Sequence, residues 1–137
     1  MRKAITLLIM AAAALAASVF SVTPAMAAGP TLACTFSPGN GVFHTGFCEN
    51  NVPSISYTLT WLVQNAPSGA TYSWTHPGTA VGGCTSTSTE CLITVSGRAT
   101  KTFTATVVVS TGTTHTTLSA SADVEPVCVS AEGPVFC

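Results

Sequence analysis

Six cysteines place the strongest constraint on what this chain of 137 residues can fold into. An even number of cysteines behind an N-terminal export segment is typical of disulfides that form outside the cytoplasm, where thiols are oxidised. Such crosslinks stabilise small domains, whose hydrophobic cores are modest. The sequence therefore predicts three disulfides among Cys34, Cys48, Cys84, Cys91, Cys128 and Cys137.

We predict that neighbouring cysteines pair with each other. Each neighbouring pair encloses a stretch rich in Gly, Pro, Asn, Ser or Thr that can turn back on itself, and short loops close quickly. Loop-closure entropy alone does not select this scheme, because a crosslink over a longer loop would stabilise the fold more. The predicted pairs are Cys34 with Cys48, Cys84 with Cys91, and Cys128 with Cys137.

The C-terminal tail ends on a cysteine, which predicts that its last residues are held in a closed loop. We expect Gly133 and Pro134 to form the bend, and Val135 and Phe136 to pack on the domain. A free terminus of this length would otherwise fray. The alternative is that Cys137 bonds a second chain, which would make a dimer; we favour a monomer.

The cysteines and histidines form no recognisable metal-binding motif. No Cys-x-x-Cys occurs, and His44, His76 and His115 are each isolated in the sequence. Structural zinc sites use closely spaced ligand pairs. We therefore predict no metal site and no cofactor.

The first 27 residues predict a secretory signal peptide. Arg2 and Lys3 precede an apolar stretch that continues to Phe20, and the small residues Ala25 and Ala27 fit a peptidase site with cleavage after Ala27. The prediction is a secreted or periplasmic protein. It has one domain over residues 28–137 and no membrane span after cleavage.

Two other interpretations of the N-terminus remain open. A retained membrane anchor would normally be followed by a stop-transfer pattern, which is absent here. A lipoprotein signal ending at Cys34 would leave five cysteines, an odd number, and Thr31 stands where a leucine is usual.

Composition excludes several function classes. Hydrophobic residues make up 47% of the chain and charged residues only 7%, which is the opposite of a disordered chain. After residue 27 only Arg98 and Lys101 are basic, against five acidic residues. We therefore predict no nucleic-acid partner, because nothing provides a basic surface for phosphates.

Alternation of apolar and polar side chains predicts β-strands along most of the chain. Residues 54–63 carry apolar side chains at every second position: Ile55, Tyr57, Leu59, Trp61 and Val63. Similar alternation marks residues 101–110 and 113–124, and shorter candidates cover residues 31–36, 71–75 and 90–96. Six or seven short strands separated by Gly- and Pro-containing turns predict an all-β, antiparallel, immunoglobulin-like β-sandwich.

The segments Ala70-Thr71-Tyr72-Ser73-Trp74 and 97–109 resemble bacterial extracellular immunoglobulin-like domains of the PKD type. The resemblance covers about the middle third of the chain. It implies a sandwich fold and a role as a surface or accessory module, with no catalytic residues. This chain departs from the pattern in having Thr75-His76-Pro77-Gly78 where an acidic loop is usual. It also has no cysteine on the strands around Tyr57 or Val107, so an antibody-type disulfide is not expected.

Residues that could carry catalysis are few. Asp123 and Glu125 are the closest carboxylates in sequence, and alternation places both on one solvent face rather than across a cleft. No nucleophile elbow and no phosphate-binding loop occur. His44 is interpreted as a surface-loop residue. We predict no catalytic residues and no enzyme activity.

Aromatic residues offer the remaining candidates for ligand contact. Tyr57 and Trp61 share a face with aliphatic residues, so we expect them in the core. Phe43 and Phe47 in the first cysteine loop, together with Trp74, are the possible contacts. The predicted function is a secreted, non-enzymatic binding or structural module whose partner is an unknown protein or carbohydrate surface. A carbohydrate-binding module and a small secreted hydrolase are the alternatives.

Overall fold

A computed structural model describes residues 28–137, which form eleven β-strands and no helix. The predicted signal peptide lies outside the described residues. The strands are β1 (Thr31–Ser37), β2 (His44–Thr45), β3 (Phe47–Glu49), β4 (Ser56–Gln64), β5 (Thr71–Thr75), β6 (Ala80–Gly83), β7 (Glu90–Ser96), β8 (Lys101–Thr111), β9 (Thr114–Val124), β10 (Val127–Ser130) and β11 (Gly133–Phe136).

Two sheets face each other across one core. The first has the strand order β2-β1-β4-β7-β6, and the second has the order β3-β9-β8-β5. All pairs in these sheets are antiparallel except β3 with β9, which are parallel. Without the short β2 and β3, the two sheets have the orders β1-β4-β7-β6 and β9-β8-β5. These are the strand orders of the two sheets in a constant-type immunoglobulin sandwich. The all-β prediction is therefore confirmed.

Alternation along the central strands builds the core. On β4, Tyr57, Leu59, Trp61 and Val63 are buried while the polar residues between them face outwards. The second sheet contributes buried side chains from β8 in the same alternating way: Phe103, Ala105, Val107 and Val109. Both sets belong to one hydrophobic cluster, so the two inner faces interdigitate as in other sandwiches.

Trp61 is the largest side chain at the centre of this core. Its register neighbours are Cys34 on β1 and Cys91 on β7, and all three residues are 0% exposed. The indole ring is therefore flanked on both sides by half-cystines. Its Nε1 is buried without a hydrogen-bond partner, so the indole is held by packing alone.

All three predicted disulfides are present, and no cysteine is left free. Cys34–Cys48 joins β1 of the first sheet to β3 of the second. Cys84–Cys91 closes the loop between β6 and β7. Because cytosolic thiols are kept reduced, three disulfides indicate a non-cytoplasmic protein.

The loop closed by Cys84–Cys91 also bridges the two sheets. The amide of Tyr72 on β5 donates to the carbonyl of Ser86 at 3.0 Å, and the amide of Val63 on β4 donates to the carbonyl of Thr89 at 2.8 Å. Trp74 Nε1 donates to the carbonyl of Ser88 at 3.1 Å. The loop therefore covers the outer edge of β5, which would otherwise expose unpaired backbone groups.

The C-terminal residues form a two-stranded hairpin, β10–β11, stapled by Cys128–Cys137. It docks where the amide of Val127 donates to the carbonyl of Gly97 at 2.7 Å. A Cβ at position 97 would collide with the Ser54 carbonyl, so only glycine fits this corner.

The prediction for the details of the tail was partly wrong. The bend lies at residues 131–132, while Gly133 and Pro134 begin β11. Phe136 is half-buried, as expected for packing, but Val135 is exposed. The reason is its register: Val135 lies opposite Cys128, and Phe136 opposite the buried Val127.

Removing the C-terminal disulfide should release the hairpin without unfolding the sandwich. We expect the double variant Cys128→Ser/Cys137→Ser to lose resistance to carboxypeptidase, because the pair holds the terminus in a closed loop. Stability of the whole domain should fall by less than the ~2.5 kcal/mol that loop entropy allows, since the hairpin adds little to the core. Mass spectrometry of the digest and urea unfolding measure the two effects. A terminus that stays protected in the variant, or a wild-type chain that runs as a reducible dimer, would contradict this account.

Two further expectations need correction. The sequence predicted six or seven strands, whereas the described chain adds β2, β3, β6 and the C-terminal hairpin. Ile55 was expected in the core but is 46% exposed, because β4 begins only at Ser56. The amide of Gly97 bonds the Ile55 carbonyl, and burial on this strand starts at Tyr57.

No helix within residues 28–137 is long and apolar enough to cross a membrane.

Candidate binding site

The candidate site lies where the chain passes from the edge of one sheet to the edge of the other. β2 pairs with β1, with His44 opposite Cys34, and β3 pairs with β9, with Phe47 opposite Ser121. Gly46 stands between them with φ of 79°, a conformation that favours glycine. Its amide donates to the carbonyl of Leu32, and its carbonyl accepts from the amide of Ser121, each at 2.9 Å. One residue thus bonds both sheets.

Alternation on β3 decides which side chains reach solvent. Cys48 points into the core and bonds Cys34, so Phe47 and Glu49 on either side of it point outwards. Phe47 is 48% exposed, and within residues 28–137 it is the one aromatic residue among the exposed large hydrophobic side chains. The disulfide therefore fixes the strand that presents both side chains.

A surface cavity of about 290 Å³ lies against this strand. Besides Cys48, its lining residues are Asn40, His44, Phe47, Glu49 and Asn51. We call this the Phe47 pocket. It combines one aromatic ring with two amides, an imidazole and a carboxylate. Pockets that orient polar ligands typically combine an apolar surface with a few polar groups of this kind.

The side chain of Asn50 holds the backbone of its neighbours Glu49 and Asn51, which line the pocket. Its side chain is buried, and it donates from Nδ2 to the Tyr57 hydroxyl at 2.9 Å and to the Glu125 carbonyl at 3.0 Å. Its Oδ1 accepts from the Glu125 amide at 2.6 Å. The Tyr57 hydroxyl also accepts from the Ser54 amide and donates to the Val52 carbonyl, each at 2.8 Å. This network ties the segment after β3 to β4 and to the end of β9.

The structure separates the three predicted contact residues. Phe47 lines the pocket, whereas the half-buried Phe43 is not among the lining residues. Trp74 lies on β5, at the opposite edge of the same sheet from β3, and is half-buried under the loop that bonds its Nε1. Contact through Phe43 or Trp74 stays a prediction.

The sequence did not predict that the polar residues of the pocket lie close together. His44 is exposed, as expected, but it belongs to β2 rather than to a loop. Its position beside Glu49 and Asn51 follows from the crossing at Gly46. The available signal was the run Glu49-Asn50-Asn51 directly after Cys48. This run contains the first of the chain's five acidic residues.

Two other groups of side chains with ligating or catalytic chemistry occur within residues 28–137. His76 lies with its ligand atom within 4.8 Å of the sulfurs of Cys84 and Cys91. Those sulfurs are bonded to each other, and metals bind the thiolate rather than the disulfide. Ser110 Oγ lies 2.8 Å from His115 Nδ1, between the half-buried Ser110 on β8 and the exposed His115 on β9.

The two neighbouring carboxylates differ in exposure. Glu125 is exposed just after β9, as predicted, but Asp123 is half-buried, and its Oδ1 is inaccessible and has no hydrogen-bond partner. The alternation is as expected, since the neighbours Ala122 and Val124 are buried and Asp123 is on the outer side of the sheet, although it is less exposed than Glu125. Parallel pairing with β3 places Asp123 beside Glu49 and shields it.

No protein-family model, curated protein or solved structure matches the chain. A relationship to PKD-type domains stays a prediction.

Proposed function

We propose that the protein is a small secreted, non-enzymatic binding module and that the Phe47 pocket is its contact site. The observation that carries the proposal is the half-exposed Phe47 ring at a cavity that also holds two amides, an imidazole and a carboxylate. About half of the Phe47 side chain is open to solvent, so this apolar surface is available to a ligand, whose contact would remove it from water.

The pocket favours carbohydrate as the ligand class. A sugar ring has an apolar face that stacks on an aromatic ring, and hydroxyls that bond amides, imidazole and carboxylate. Phe47, Asn40, Asn51, His44 and Glu49 supply this combination around one cavity. The disulfide at Cys48 and the Asn50 network hold the site rigidly, which lowers the entropy cost of binding.

Replacing Phe47 tests the proposal. We expect the wild-type domain to be retained on at least one insoluble neutral polysaccharide among cellulose, chitin, xylan and mannan. Phe47→Ala should weaken retention about tenfold, because the loss of one stacked ring is worth ~1.4 kcal/mol. Depletion from the supernatant at increasing polymer concentration gives the affinity.

Val81→Ala provides the matched control. Val81 is a 59% exposed apolar residue on β6, at the far edge of the other sheet, and its loss should leave retention unchanged. Equal effects of the two substitutions would refute the assignment of the site. Turnover of ester, glycoside or peptide substrates that disappears in Glu49→Gln or His44→Ala would establish the hydrolase alternative instead.

A further inference from the structure

The Phe47 pocket continues into a polar surface on the outer face of its sheet. Register places Phe47 beside Ser121 on β9, and Ser121 beside Thr104 on β8. Residues that are directly opposite in a sheet point to the same side. Phe47, Ser121 and Thr104 therefore form one row that runs away from the pocket, across the strands.

A second row lies next to the first. Ser119 on β9 is opposite Thr106 on β8, and Thr106 is opposite Thr75 on β5. The first row lies on β3, β9 and β8, and the second on β9, β8 and β5. Together they extend from β3 to β5, a distance of ~14 Å at the usual spacing between neighbouring strands. Apart from Phe47, every side chain in them ends in a hydroxyl or a methyl group.

Hydrogen bonds within the sheet orient some of these hydroxyls. Thr104 Oγ1 and Ser121 Oγ lie 3.0 Å apart, and Ser119 Oγ donates to the carbonyl of Ala105 at 3.3 Å. Each hydroxyl offers one donor and two lone pairs, so all three retain bonding capacity for a ligand. Their positions are set by backbone pairing rather than by flexible side chains.

Charge on this face selects against acidic ligands. Glu49 and its register neighbour Asp123 lie at one end, next to the row that starts at Phe47. The basic residues of the described chain are Arg98, in the turn before β8, and Lys101, the first residue of β8. The Lys101 ammonium lies over the ring of the buried Phe103, 5.0 Å from its centroid. An anionic polymer would therefore meet two carboxylates next to the row that starts at Phe47.

The outer face of the other sheet also carries hydroxyls, including the row Ser37, Thr58 and Thr94. Hydroxyls alone therefore do not distinguish the two faces. The distinction is Phe47, which lies on β3 as the register neighbour of Ser121, so the rows on β9, β8 and β5 are the ones that continue from its ring.

We infer that the binding site is extended: a neutral glycan chain of several sugars stacks one ring on Phe47 and lies across the rows of hydroxyls towards β5. This inference rests on the proposed function of the Phe47 pocket and adds the length, direction and charge of the ligand. The distance from β3 to β5 is too long for a single sugar ring, so affinity must grow with chain length.

Isothermal titration with oligosaccharides of one to six sugars, derived from whichever neutral polymer retains the domain, measures this dependence. We expect affinity to rise at least tenfold from the monosaccharide to the tetrasaccharide. Thr104→Val keeps the shape and strand propensity of the side chain but removes its hydroxyl. It should weaken tetrasaccharide binding about fivefold, the effect of one lost hydrogen bond, and leave the monosaccharide unaffected.

Thr94→Val is the matched control, because Thr94 is an exposed threonine on an inner strand of the other sheet. It should change neither affinity. If Phe47→Ala abolishes binding but affinity is independent of chain length and of Thr104, the extended site is wrong and the pocket stands. If heparin or another acidic polymer binds more tightly than neutral chains, the charge argument is overturned. If no neutral polymer binds at all, both the extended site and the carbohydrate assignment fail.

Discussion

Trp61→Ala is expected to lower the free energy of unfolding by about 3 to 5 kcal/mol, the largest effect of any single substitution considered for this domain. The indole is completely buried between Cys34 and Cys91 and belongs to the cluster shared by both sheets. Two disulfides hold its neighbours, so the surroundings cannot collapse into the space that the ring leaves. A cavity that cannot relax carries the full cost of the lost contacts. Urea unfolding followed by far-ultraviolet circular dichroism measures the loss.

Two other tryptophan variants separate packing from hydrogen bonding. Trp61→Phe keeps most of the ring and removes an indole N–H that has no partner, so it should cost clearly less than the alanine variant. Trp74→Ala removes a half-buried ring and its bond to Ser88 and should also be milder. A Trp61→Ala domain within 1 kcal/mol of wild type would show that the core does not depend on this residue.

Asn50→Asp is expected to destabilise the domain by about 3 kcal/mol although it changes the side chain by a single atom. The amide donates to the Tyr57 hydroxyl and to the Glu125 carbonyl, and a carboxylate donates to neither. The substitution also buries a negative charge at a position that is only 3% exposed. Urea unfolding at neutral pH gives the size of the effect.

The pH dependence of the same variant identifies its cause. Burial raises the pKa of a carboxyl group at this position above its unfolded value, because the charged form is disfavoured. The penalty should therefore shrink as pH falls and the carboxyl is protonated, and grow as pH rises through the folded pKa. Asn51→Asp, at the exposed neighbouring position, should stay within ~0.5 kcal/mol of wild type. Equal stability of the two variants at neutral pH would mean that the Asn50 network contributes nothing.

The central strands were predictable because each one buries a single face. Alternation indicated strands at residues 54–63, 101–110 and 113–124, and the structure has Ser56–Gln64, Lys101–Thr111 and Thr114–Val124. The three disulfides were predictable because each closes over its own turn-forming segment. Both signals are local, so a sequence pattern is enough to find them.

The edge strands could not be predicted in the same way. β6 ends in two glycines and pairs with β7 across an irregularity between Ala80 and Gly82, so its side chains show no alternation. β11 contains Pro134, which normally ends a strand but is tolerated at an edge. β2 and β3 have only two and three residues, too few to show alternation, and β3 pairs with β9, more than 70 residues away in the sequence. Long-range pairing defines such strands.

The Phe47 pocket was only half predictable for the same reason. Phe47 was a candidate because it lies in a polar cysteine loop, away from any alternating segment. His44, Glu49 and Asn51 join it because Gly46 bonds Leu32 and Ser121 at once, a relationship between three distant parts of the chain. A single sequence carries no signal for that meeting.

The link between β1 and β3 also determines how the domain would respond to mechanical force. Tension applied through the residues before β1 reaches Cys48 directly through the Cys34–Cys48 bond, and the loop between the two cysteines cannot lengthen. The two cysteines are separated by 14 positions in the sequence. The disulfide therefore prevents about 48 Å of chain from being pulled into an extended form. Force entering β3 and leaving through β9 would act on parallel strands, so their hydrogen bonds would be sheared together rather than broken one at a time. Load applied before β1 would thus pass along a covalent bond that ends at Cys48, next to the exposed Phe47.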